Sequence, residues 1–243
     1  MTSIDADPLI AALIEQLHVM RVAERDIFGS LDAEVRDRPM RPNDWSPKDH
    51  QAHLSAWKGI QAERIRAISR GEVPPSSGSE TDVVNAELQA TRADWSWAQI
   101  AAEADEVSER LETAIKAAGP AMLLASGGLI GGIFGNGGSH AMTHFGWLVD
   151  AGIGVDEARV AAYVDDQERL INVDALPDSD RGVGLYNLAC AHAVASRLDR
   201  ARPLLRVAFR LRPDLAEFSR DDPDLVGLRD ELESLAVGAE PTR

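Results

Sequence analysis

The sequence predicts an all-α protein, a four-helix bundle followed by a smaller helical module. Three observations carry that expectation. Apolar residues recur three and four positions apart through each long segment, the period of an amphipathic helix. No segment shows the strict apolar–polar alternation of a half-buried strand. Helix-start residues and Gly/Pro-rich breaks divide residues 1–152 into four helical stretches.

The first helix is read from Ile10, Leu13, Ile14, Leu17, Met20, Ile27 and Leu31, and a polar turn holding Pro39 and Pro42 ends it. The second has a marked start. Ser46 can cap it, Pro47 suits its first position, and Asp49 places an acid where the helix dipole favours one. It runs through His53, Trp57 and Ile60 to about Arg70, and Pro74-Pro-Ser-Ser-Gly-Ser79 then forms a loop. The third begins near Thr81, breaks at Asp94-Trp95, and restarts at a capping box of Ser96 and Gln99. It continues through Ile100, Val107, Leu111 and Ile115 to Gly119-Pro120. Seven glycines fall between Gly127 and Gly138, interleaved with Leu129, Ile130, Ile133 and Phe134. They lack the Gly-Lys-Ser/Thr ending of a phosphate-cradling loop. The stretch reads as a flexible connection, with a mobile apolar lid as the functional alternative. A fourth helix spans about Ser139 to Asp150.

Beyond Gly152-Ile-Gly154 the character changes. Residues 153–179 read as a connecting helix and linker, and residues 180–243 as a separate helical module. Within it, Ala189, Ala201, Ala208 and Pro213 occupy the small-residue and proline positions of a tetratricopeptide helix pair, a repeat of about 34 residues. Asp222-Pro223 opens a last helix. One repeat is fewer than the roughly three an independent solenoid needs. Leu185, Leu188, Leu204 and Leu205 therefore require a partner surface, either the rest of the chain, a second subunit in a homodimer, or another protein.

Composition narrows the function. The 243 residues are 44% hydrophobic, ample for a packed core, and the net charge of −15 is spread along the chain. No basic footprint exists for nucleic acid. No stretch reaches the roughly 18 continuous apolar residues of a membrane span. The N-terminus shows no signal peptide, and the single Cys190 excludes an intramolecular disulfide, so a reducing, cytoplasmic setting is expected. In Leu188-Ala-Cys190-Ala-His192 the thiol reads as a packed helix residue rather than a nucleophile.

The chemistry concentrates in histidines. His140 and His144 stand i and i+4 on one helix face. Placed opposite them in a bundle, His53 would complete a three-imidazole metal site with a position left open, the arrangement of a catalytic rather than a structural ion. The plain alternative is hydrogen-bonded core histidines. His50, three residues before His53, is expected to be partly exposed or to support the ligands from behind. Asp49 reads as a helix-start acid that could also support the site, and Trp57 as a packing residue that could wall its pocket. His18 is expected on an apolar face of the first helix, and His192 belongs to the C-terminal module. No Ser/His/Asp or Cys/His constellation stands out.

The run Asp44-Trp45-Ser46-Pro47-Lys48-Asp49, followed by Ala52-His53-Leu54 and Trp57, resembles the second-helix signature of the DinB/YfiT-like superfamily of four-helix-bundle metalloenzymes. His140-Ala-Met-Thr-His144 matches that superfamily's second metal motif, and the likeness covers residues 1 to about 152. It implies His53, His140 and His144 as ligands of a divalent metal, zinc or nickel. It also implies chemistry on a small-molecule substrate. Relatives include transferases and isomerases that use a low-molecular-weight thiol, such as mycothiol-dependent maleylpyruvate isomerase. Asn85-Ala-Glu-Leu and Asp94-Trp95-Ser96 resemble the ClbS/DfsB-like subgroup, which includes a resistance protein that opens a reactive cyclopropane without relying on the three histidines. Thiol transfer or isomerisation is thus the first expectation. A hydrolase or resistance protein, and a non-enzymatic binding or interaction protein, are the alternatives.

Overall fold

A computed structural model describes residues 7–41, 44–74 and 81–237. Pro42, most of the Pro/Ser-rich loop after Pro74, and the last residues of the C-terminal module lie outside that description.

Helix α1 (Pro8–Gly29) starts where the Asp7 carboxylate accepts from the Leu9 and Ile10 amides, with Pro8 supplying the fixed φ of a first turn. A short α2 (Ala33–Asp37) leads to α3 (Pro47–Ser69). The Ser46 hydroxyl and Asp49 carboxylate close a reciprocal capping box at the α3 start. Helix α4 (Thr81–Ala90) precedes a second capping box, Ser96 with Gln99, which opens α5 (Trp97–Ala125). Lys48 Nζ donates to the Trp95 carbonyl at 3.1 Å and ties the start of α3 to the turn before α5. At Gly119 the backbone swings to φ 70°, ψ 164°, which breaks the helix before Pro120 continues it.

From Leu129 on, the glycine-rich stretch is helical and not a flexible connection. Helix α6 (Leu129–Phe134), a π-helical turn (Gly135–Ser139) and α7 (His140–Asp150) run on without a break. Leu129, Ile130, Ile133 and Phe134 are all buried in the core. The glycines permit close approach: a Cβ on Gly138 would lie 2.2 Å from Gln16 Nε2, and one on Gly132 would lie 3.0 Å from the Gln61 amide. Composition suggested mobility, but at Gly131, Gly132 and Gly138 tight packing is what excludes a side chain.

Helices α1, α3, α5 and the α6–α7 unit form the bundle, and apolar side chains from Leu9 to Leu235 join one core. Inside it, Lys58 on α3 and Glu24 on α1 make a fully buried ion pair, to which Gln51 adds a hydrogen bond to Glu24 at 3.2 Å. Burying such a pair is costly, and on the Glu24 side Arg21 and Gln51 supply further donors to the carboxylate.

Helix α8 (Glu157–Ile171) buries Val160, Val164 and Ile171 and packs on α1 and α9. The Ala195–Arg197 connection folds α10 (Leu198–Leu211) back along α9 (Asp178–Val194), with Ala189, Ala201 and Ala208 buried. Small side chains let two helices approach closely. Leu185, Leu188, Leu204 and Leu205 are buried within the chain itself, where α9 lies on α6, α7 and α8. A short α11 (Asp214–Phe218), unanticipated by the sequence reading, follows α10. Beyond it Asp222 caps a 3₁₀ stretch (Pro223–Glu231) rather than an α-helix, and α12 (Leu232–Val237) closes the described chain.

Candidate metal centre

His53 projects from the second turn of α3, while His140 and His144 occupy the first turns of α7, directly after the π-helical turn. The fold brings the three rings together. His140 Nε2 lies 3.1 Å from His53 Nε2 and 3.1 Å from His144 Nε2. The imidazoles cross at steep angles, with centroids 4.8–5.1 Å apart. His144 and His53 are buried at 1% and 8% exposure.

Electrostatics keeps these rings neutral. Burial holds His53 down to about 3, with positive charge at His140 and His50 acting the same way. Burial likewise lowers His140 to about 4, helped by the Lys58 ammonium and opposed by Glu24. His144 is pushed well below its ordinary value by burial and by its histidine neighbours. Neutral imidazoles are the form that ligates metal.

The donor set fits a cation. His140 Nε2 faces two other ring nitrogens at hydrogen-bond distance, and one proton can bridge only one of those pairs. Burial disfavours supplying a second. Three lone pairs converging on one point are satisfied by an ion about 2.1 Å from each.

His50 is buried at 3% exposure rather than partly exposed. Its Nδ1 sits 2.6 Å from His144 Nδ1. Ligation through His144 Nε2 places the ring proton on Nδ1, so His144 donates to His50 and is held in orientation by that bond. Burial lowers His50 to about 4, against the opposing charges of Asp44 and Asp49. Asp49 itself is committed to the capping box and lies behind the site. Trp57 packs edge-on to His53 and donates from Nε1 to Asn85 Oδ1 at 3.1 Å. His18 is exposed and pairs with Glu112 at 2.7 Å, so it does not sit on an apolar face. His192 is fully buried in α9. Burial and Asp222 both raise the Cys190 thiol pKa, which suits a packed group and not a nucleophile.

A cavity of about 490 Å³ opens onto the three histidines. Trp45 lies over His53 at 4.8 Å between ring centroids, and Trp147 flanks His144 at 4.7 Å. Arg41, ion-paired with Asp150, stands at its edge. The sequence reading missed Trp147, although its place three residues after His144 puts it on the same helix face. It gave no sign of Asn85, Arg41 or Asp150 at the cavity, which long-range folding alone brings there.

Comparison with curated proteins found no match, and comparison with solved structures found none. A family model described as the DinB superfamily matches residues 16–148, from α1 through α7 and across all three converging histidines. That span exceeds half the chain and coincides with the helical bundle, so the chain belongs to the DinB superfamily, whose members typically bind metal.

Proposed function

We propose that the chain is a divalent-metal-dependent enzyme acting on a small molecule, with His53, His140 and His144 as the metal ligands. One observation carries this reading: three neutral imidazoles, two of them buried and His140 partly so, converge beneath an open cavity of about 490 Å³. A closed structural site would need a fourth protein ligand, whereas three leave room for an exchangeable one. When bound, a zinc or nickel ion would supply Lewis acidity, lowering the pKa of a water or a thiol towards neutrality. His50 orients His144, and Trp45 and Trp147 wall the cavity beside His53 and His144. Lys58 and Glu24 set the charge behind His140.

Among the reactions open to such a site, we favour transfer or isomerisation with a low-molecular-weight thiol, in keeping with thiol-using relatives in the superfamily. A hydrolase is the second reading. Asn85 and Asp94-Trp95-Ser96 resemble a metal-independent branch, but three converging imidazoles favour the metal-dependent one. The pairing of α9 with α10 over buried alanines supports a tetratricopeptide-like helix pair.

Zinc and nickel content of the untagged full chain tests the metal. About one equivalent, lost in His53→Ala and His140→Ala, is expected; no metal above those variants would overturn the reading. A conjugation screen with thiols and electrophiles then separates thiol transfer from hydrolysis.

A further inference from the structure

A second cavity, of about 430 Å³, shares His53, Asn85 and His140 with the first. Its remaining wall is different. Trp57 stands on the bundle side, while Tyr186, Cys190, Phe218, Asp222 and Asp224 come from the C-terminal helices. The C-terminal module therefore reaches the same pair of histidines that the bundle presents.

The polar groups of that wall are unequal. Asp222 is fully engaged: Oδ2 accepts from the Tyr186 hydroxyl at 2.6 Å and lies 3.7 Å from Cys190 Sγ, and Oδ1 accepts from the Asp224 amide at 2.9 Å. The Asp224 carboxylate has no donor among the described residues. Its pKa is raised to about 6 by burial and by the charge of Asp222 beside it. No lysine or arginine lines this cavity. An unpaired carboxylate lining a cavity that holds no lysine or arginine offers a counter-charge to a cationic group entering it. Trp57, Tyr186 and Phe218 supply flat apolar surface around it, favourable to a cation carried on an aromatic or aliphatic frame.

We propose that the C-terminal helices complete the substrate site, and that this second cavity receives a basic amine of the substrate with Asp224 as its counter-ion. The proposal rests on the metal-centre reading in one respect, that the amine-bearing molecule reaches towards the His53–His140 edge. It makes the C-terminal module an element of substrate selection.

Phenethylamine serves as the probe and 2-phenylethanol as its neutral counterpart, titrated calorimetrically into the full chain at about pH 8, where the amine is protonated and Asp224 ionised. The amine should bind about tenfold more tightly than the alcohol. Asp224→Asn should abolish that preference while leaving the alcohol affinity unchanged. The side chain of Asp224 bonds to no other described group, so the isosteric amide leaves the fold intact, which circular dichroism checks. Equal affinities, no binding of either probe, or a preference that persists in Asp224→Asn would overturn the proposal. The same titration on chelator-treated protein keeps the two readings apart. An Asp224-dependent amine preference there stands whether or not the chain holds metal, and failure of the metal reading shows only in metal content.

Discussion

Three histidines converge on one point with a fourth behind them, and what separates their roles is the partner of each ring's second nitrogen. His144 has His50 behind it. Replacing His50 with Phe keeps the aromatic volume but removes the acceptor, and should lower metal affinity roughly 10–100-fold, read by competition with a chelating dye. His140→Ala should lose the metal while circular dichroism stays helical, because the apolar stripes of α1 and α5 hold the bundle without it. The metal-free protein should also be acid-sensitive. Burial holds His50 and His140 near 4 and His53 near 3, below the ordinary 6.5. Between those values the unfolded chain binds more protons than the folded one, so stability present above pH 6.5 declines as pH falls towards 4. One such group is worth on the order of 3 kcal/mol, and contributions from coupled rings do not add. Denaturant midpoints at about pH 7 and pH 5 measure the loss, and saturating zinc should slow it. His140 and His144 were legible because i, i+4 spacing survives folding unchanged, whereas His53 entered through the motif of the resembled family, since no spacing ties it to them. Trp147 was legible in principle, whereas Asn85 and Asp224 reach the cavities only through contacts that sequence order does not encode.

At the scale of elements, capping chemistry was the readable part. Ser96 with Gln99 forms the capping box its spacing predicted, and Ser46 caps α3 as expected, with Asp49, read only as a helix-start acid, closing a second box. The stretch 127–138 was misread because glycine serves both loops and close contacts, and composition does not say which. The two uses are separable by experiment. Gly138→Ala would press a methyl between the Gln16 and Gln167 amides, at 2.2 and 2.8 Å, where Gln16 is already bonded to the Phe134 carbonyl. It should cost about 1–3 kcal/mol and lower the melting temperature by several degrees. At Gly127 nothing lies within 4 Å of the added carbon, and Gly127→Ala should be neutral or slightly stabilising. Differential scanning calorimetry of the two variants side by side checks the contrast.

For the whole molecule, the C-terminal segment has its apolar partner within the chain. The helix pair was visible in Ala189, Ala201 and Ala208, but the surface it would cover was not, since any large apolar face can serve one repeat. In the folded chain that surface is α6, α7 and α8. Deleting residues 176–243 should therefore expose core side chains and give a chain that aggregates or melts without a cooperative transition, followed by light scattering and thermal unfolding. A truncated chain that stays folded at an unchanged oligomeric state would show the module to be an appendage. Among the described residues no helix is long and apolar enough to cross a membrane.

The π-helical turn at Gly135–Ser139 amounts to a helix carrying one residue more than its ladder needs. The Phe134 carbonyl beside it accepts from Gln16 Nε2 at 3.3 Å and from Ser139 Oγ at 3.5 Å. The segments before and after already stand in phase with their neighbours: Ile133 and Phe134 face the core, and His140 and His144 face α3. The surplus is therefore expendable in length but not in place. Excising Gly137 would let the turn close as ordinary α-helix with both faces kept. Excising Ala141 would instead cut the His140–His144 spacing from four residues to three, moving the second ring from about 40° on one side of the first to about 60° on the other and off the point facing His53. The chain can be shortened on one side of His140 and not on the other.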